Sequence, residues 1–83
     1  MPYLKLKDAN HITIGSKQTL KAIETGVALE VLIAKDADLK VTVKIAEKCK
    51  EKNVPVIYVD SMKKLGKACG IEVGAATVAI TKA

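Results

Sequence analysis

The sequence predicts an α/β fold, a three-layer α/β/α sandwich in which one central sheet carries helices on both faces. Three observations predict it. Leu29–Ala34 (LEVLIA), Val54–Val59 (VPVIYV) and Ala76–Thr81 (ATVAIT) are short, β-branched and almost continuously apolar, the pattern of strands covered on both faces. Segments of helical character alternate with them in the order β-α-β-α-β-α-β, which sets helices against both sides of a sheet. With 83 residues, the chain is long enough for one modest core and too short for two. Residues 1–83 therefore read as a single domain.

Each element has its own signal. Residues 3–9 read as a short N-terminal helix, and His11–Ile14 (HITI) as a short first strand. A helix over 16–25 follows, with Ser16 placed as N-cap and Gly26 as the residue after the C-cap. The strand at 29–34 leads to a helix over 39–52, and the strand at 54–59 to a helix over 62–69. Ser61 and Gly70 bracket that last helix as Ser16 and Gly26 bracket the first. The chain shows no linker, repeat or low-complexity tract.

Composition narrows the function. Hydrophobic residues make up 49%, yet Trp and Phe are absent and the aromatics are Tyr3 and Tyr58, so the core is aliphatic. No apolar run approaches the roughly 18–20 residues of a membrane span and no signal-peptide pattern opens the chain, so a cytosolic, membrane-free protein is expected. Cys49 and Cys69 sit in no CxxC or Cys/His metal spacing and read as small buried thiols, with no metal or cofactor expected. Net charge is +5, and all 14 basic residues are lysine. That balance favours a polyanionic partner, nucleic acid above all.

The stretch IGSKQTLK (14–21) localises the charge. At 100° per residue, Lys17, Gln18 and Lys21 share one sector of about 100°, while Thr19, Leu20 and Ile23 face the other way. Lysines near a helix N-terminus oppose its dipole, and the pair at i,i+4 repels by about 0.2–0.5 kcal/mol. A bound phosphate reverses both terms; a merely solvated face is the alternative. SMKKLGK (61–67) repeats the arrangement, with Lys63, Lys64 and Lys67 in one sector and Met62, Leu65 and Cys69 away from it. Both helices follow strands, so their N-termini are expected at the same end of the sheet. In Gly70–Gly74 (GIEVG), two glycines bracket Ile71 and Val73. These aliphatics either plug the sheet edge or contact an apolar surface of a partner, such as unstacked bases.

Other signals are weaker. Lys40, Lys44, Lys48 and Lys52 form an i,i+4 stripe beside Glu47 and Glu51, read as a solvated helix face. Gly66-Lys67 is followed by Ala68, so no P-loop is present. His11 has no nucleophile to serve. Asp36, Asp38 and Asp60 sit near strand ends but lack partners for acid–base or metal chemistry. No catalytic residue is assigned, and the chain is not expected to be an enzyme.

IGSKQTLKAIETG (14–26), VLIAKDAD (31–38) and VPVIYVDSMKKLGKACGIEVGAATVAI (54–80) together resemble the YbxF/YlxQ-type bacterial branch of the kink-turn RNA-binding superfamily, which includes the ribosomal proteins L-seven-Ae and L-thirty-e. The resemblance covers most of the chain, and LGKACGIEVGAA is its most specific segment. It implies an α/β/α sandwich with a mixed four-stranded sheet. It also implies a ligand, an RNA helix bent at a bulge followed by tandem sheared G·A pairs. Relatives seat the helix after the first strand at those pairs through Gly-x-Asn-Glu-x-x-Lys. Here Gly15 and Lys21 match, with Ser16 between, while Lys17 and Gln18 stand in the Asn and Glu places. Gln18 keeps a carbonyl acceptor without the charge; Lys17 is donor-only and addresses guanine N7, O6 or a phosphate. Ile71, Glu72 and Val73 fall where relatives cover the bulged nucleotides. Asp38 matches a position that holds a flipped-out nucleotide in some of them.

The reading is a non-catalytic, monomeric protein that recognises kink-turns in ribosomal or riboswitch RNA, with the ribosome as a further candidate partner. Lys17, Gln18 and Lys21 grip the G·A stem, and Gly15 and Ser16 are counted with them as RNA-binding. Lys63, Lys64 and Lys67 neutralise phosphates, and Ile71 with Val73 caps the bulge. One alternative is a protein-interaction module of ribosome assembly that docks through Gly70–Gly74 with incidental RNA contact. The other is an enzyme on a small phosphate-bearing molecule, whose sign would be a deep pocket lined by Asp36, Asp38 or Asp60.

Overall fold

The apolar strands pair through the middle of the molecule because their side chains alternate between two cores. The structure, a computed structural model, describes residues 12–71 and 73–81. It contains β1 (Ile12–Ile14), α1 (Ser16–Glu24), β2 (Ala28–Ala34), α2 (Leu39–Glu51), β3 (Val56–Val59), α3 (Met62–Ala68) and β4 (Thr77–Thr81). The expected N-terminal helix at 3–9 lies outside the described residues. One four-stranded sheet has the order β1-β4-β2-β3. β4 runs antiparallel to β1 and β2, while β3 runs parallel to β2. The sheet is mixed and the fold is the expected α/β class.

On β2, Val31 and Ile33 point to one face, and Leu32 and Ala34 to the other. The first pair joins Ala22 and Ile23 of α1, Ile45 and Cys49 of α2 and Ala79 of β4. The second joins Leu65 of α3, Val59 and Val78, with Ile71 and Met62 packed against it. Two helices therefore cover one face and one helix covers the other. Val31, Leu32 and Ile33 are fully buried, which accounts for the unbroken apolar run in the sequence.

Boundaries differ from the sequence pattern where backbone bonding is already committed. β3 begins at Val56, not Val54, because the Val54 amide bonds the Cys49 carbonyl at 2.8 Å and closes α2. Asn53 makes the turn between them at φ 58, a left-handed conformation that Asn tolerates. Gly26 and Gly70 follow the C-caps of α1 and α3 with φ 77 and 81, as the sequence predicts. Ser61 caps α3 by accepting the Lys64 amide at 3.1 Å. Ser16, in contrast, is not an N-cap. Gly15 holds that position at φ 101, and Ser16 is the first helical residue.

Cys49 is buried, Cys69 half-buried, and both are free thiols. Desolvation pushes both thiols up, so they stay protonated and poorly nucleophilic near neutral pH. Beneath α1, the Thr19 and Thr77 hydroxyls are buried with no hydrogen-bond partner among the described residues. An unpartnered buried hydroxyl is destabilising, and an apolar group of the same shape removes that cost. Thr19→Val is therefore expected to raise stability by about 1 kcal/mol in urea unfolding; a lowered midpoint would contradict this.

Candidate functional site

Strand direction assembles the site. Ile14 of β1 lies opposite Val78, Ile33 of β2 opposite Thr77, and Ala34 pairs in register with Val59. The C-terminal ends of β1, β2 and β3 therefore meet the N-terminal end of β4. All three helix N-termini emerge there, and so does the connection from α3 to β4. The expectation that α1 and α3 begin at one end holds, and α2 joins them. None of the three has an acidic residue in its first turn. Three partial positive poles thus share one end of the sheet.

Their first turns are finished differently. The Asp38 carboxylate caps α2 by accepting the Lys40 amide at 2.9 Å. Asp36 accepts the Met62 amide at 2.8 Å, tying the loop after β2 to the start of α3. α1 has no side-chain cap. The Gly15 amide instead donates to the Thr77 carbonyl at 2.9 Å, and the Gly15 carbonyl accepts the Thr19 amide at 2.9 Å. That fixes the turn against β4 at a φ glycine alone adopts readily. The amides of Ser16, Lys17 and Gln18 lie in the first turn, where no intrahelical carbonyl reaches them and an anion can.

Side chains sort as the 100° spacing predicts. Lys17, Gln18 and Lys21 are exposed, while Thr19, Ala22 and Ile23 are buried. Lys63, Lys64 and Lys67 are exposed, while Leu65 and Gly66 are buried. Asp60 lies 3.8 Å from Lys64; both side chains are well exposed, so the pair contributes little. The sequence reading missed Lys35, an exposed lysine whose amide bonds the Val59 carbonyl at 2.9 Å at this same end. Its signal was position alone, the residue after a parallel strand. Asp36 and Asp38 are occupied by backbone amides, which explains aspartates among the lysines. Burial of the two thiols, described above, leaves no activated nucleophile in either cysteine.

The loop before β4 departs from expectation. Ile71 is partly buried against the α3 side of the core, whereas Val73 is 70% exposed. Only one of the two aliphatics is presented outward; the other anchors the loop. Glu72 lies outside the described residues. Close approach of backbone within the protein does not involve Gly70, whose added Cβ would meet nothing within 4 Å. It occurs at Gly66, where a Cβ would overlap the Val73 carbonyl oxygen, and at Gly74, where it would lie 3.1 Å from the Met62 Cβ. The Ile71 amide bonds the Gly66 carbonyl at 3.1 Å, and the Ala75 amide the Met62 carbonyl at 3.0 Å. Gly66 was missed as a site-shaping residue. Its signal was a glycine inside a seven-residue helix, a choice about 1 kcal/mol worse than Ala without a packing reason.

The result is a cationic end with open helix amides, one amide side chain and an aliphatic tip on a braced loop. Such a surface holds anions, offers both donor and acceptor, and covers an apolar face. The description of the ribosomal protein L7Ae/L30e/S12e/Gadd45 family matches residues 3–83. Over 82 residues the chain is 58% identical to an RNA-binding protein of Halalkalibacterium halodurans, covering 99% of this chain and 100% of that protein. With the same coverage it is 55% identical to RNA-binding protein YbxF of Geobacillus stearothermophilus. The solved structure of the Giardia lamblia 15.5kD RNA binding protein superposes with a TM-score of 0.85 at 30% identity, over 98% of this chain and 68% of that one.

Gly66→Ala is expected to force the loop off α3 and destabilise the protein by about 1–3 kcal/mol in urea unfolding. The largest amide shift changes should fall in residues 71–76; an unchanged midpoint with unmoved loop amides would contradict the bracing.

Proposed function

The chain belongs to the ribosomal protein L7Ae/L30e/S12e/Gadd45 family, and from that premise we propose that it binds RNA by recognising kink-turns. The observation that carries the reading is the convergence of three helix N-termini, their lysines and the Val73 loop at one end of the sheet. Relatives named as RNA-binding proteins support the class of ligand. The target would lie among ribosomal or riboswitch RNAs.

In this mechanism α1 enters the widened groove at the G·A pairs. The amides after Gly15 face a phosphate, and Lys17 donates to guanine N7, O6 or a phosphate. Gln18 accepts through its carbonyl and donates through its amide nitrogen. Lys21, about one turn further along, holds the same backbone. Lys63, Lys64 and Lys67 on α3 neutralise the second strand as the bend brings phosphates together. Val73 covers an unstacked base, with Ile71 and Gly66 setting its height; Asp38 lies beside that nucleotide. The protein adds no covalent chemistry. It binds the bent form of an RNA that exchanges between extended and bent forms, and shifts that population by its differential affinity.

Lys17→Ala and Lys21→Ala are each expected to weaken kink-turn binding by about 1–2 kcal/mol in an electrophoretic shift. Each phosphate-contacting lysine removed should also lower the slope of log affinity against log salt by about one. Replacing both G·A pairs with Watson–Crick pairs should abolish specific binding. Equal affinity for the two RNAs would reduce the surface to a generic polyanion binder.

A further inference from the structure

α1 and α2 leave between them an open groove of about 770 Å³ whose aliphatic lining the RNA reading does not use. Leu20 and Val41 form its half-buried floor. Leu39 and Val43, one turn apart on the same side of α2, are 74% and 49% exposed beside them. One exposed leucine is ordinary on a protein surface; four contiguous aliphatics in a concave strip mark a contact site. Lys17, Lys40 and Lys44 also line the groove, and among the described residues no acidic side chain does. The Asp38 carboxylate at the groove's start is taken by the Lys40 amide. Further along α2, Glu51 lies 3.5 Å from Lys48.

We propose that this groove docks an amphipathic helix of a partner protein whose apolar stripe is flanked by Asp or Glu. Two adjacent helices present ridges and a trough that a third helix fills, with anchors at i, i+3, i+4 and i+7. Charge selects the partner. An acidic flank meets Lys17, Lys40 and Lys44, whereas a second copy of a chain carrying +5 brings lysines against lysines. The chain's own residues 1–11 carry Lys5 and Lys7 against Asp8 alone, so they do not complement the lysines either. RNA fits the strip poorly, because bases stack on planar groups and, among the described residues, every apolar side chain in the groove is aliphatic.

The test is a titration of the full ¹⁵N-labelled chain with two synthetic helical peptides. One has leucines in an i, i+3, i+4, i+7 stripe with glutamates on its flanks, and the other has lysines in place of those glutamates. The glutamate peptide is expected to shift the amides of Leu20 and of residues 39–45, and to bind at least about tenfold more tightly than the lysine peptide. Leu39→Ser with Val43→Ser, and separately Lys40→Glu with Lys44→Glu, should each weaken it about tenfold or more. These side chains are exposed or half-exposed, so the variants should keep the wild-type circular dichroism spectrum. The proposal is overturned if neither peptide binds or both bind equally, or if the shifts fall outside the groove. It is overturned equally if concentration alone shifts the groove amides, marking a second copy, or if a kink-turn RNA shifts residues 39–45 of α2 in place of the peptide.

Discussion

The reversed direction of β4 is the constraint on which the rest depends. β1, β2 and β3 point the same way, and β4 lies between β1 and β2 running against both. Each helix must therefore start at the end where β4 starts. Had β4 run parallel, α3 would have delivered the chain directly to the far end of the sheet, and Val73 would stand at the opposite end from Gly15. Instead the Gly15 amide reaches the Thr77 carbonyl directly. A ladder hydrogen bond of the ordinary kind thus sets the first helix against the loop that the proposed RNA reading pairs with it.

Electrostatics follow from that placement. Three helix poles of one sign at one end disfavour cations, yet the sequence puts Lys17, Lys40, Lys63 and Lys64 in or beside the first turns. The fold tolerates this because each term is a few tenths of a kcal/mol at an exposed site. Asp36 and Asp38 relieve α2 and α3 through backbone amides. Only α1 is left without a side-chain cap, and only there does a φ of 101 at glycine open the helix. A polyanion would convert each of these small costs into attraction. The groove behind α1 shares Lys17 with that end, so the two surfaces are contiguous but differ in chemistry, one charged and the other aliphatic.

Much of this could be read from the sequence because it depends on local patterns. Continuous β-branched runs gave β2 and β4, and glycines after the last turn gave the ends of α1 and α3. Spacing alone separated Lys17, Gln18 and Lys21 from Thr19 and Ile23. What escaped depends on contacts between distant segments. Ser16 resembles an N-cap, but a strand neighbour 62 residues away in sequence makes Gly15 the cap. Gly66 resembles a weak point in a helix until the Val73 carbonyl is seen against it. Ile71 and Val73 look equivalent in GIEVG, yet only the path of the loop decides which one enters the core. Leu39 and Val43 were hidden inside what read as a lysine stripe.

The most direct test of the account is site-specific photo-crosslinking from a kink-turn RNA carrying 4-thiouridine in its bulge. The account places that nucleotide against Val73, so the crosslink should appear in the tryptic peptide spanning residues 68–82, with 4-thiouridine beside the G·A pairs marking peptides around Lys17 and Lys21. Crosslinks concentrated at the opposite end, around Lys50–Asn53 or Val27–Leu29, would contradict it.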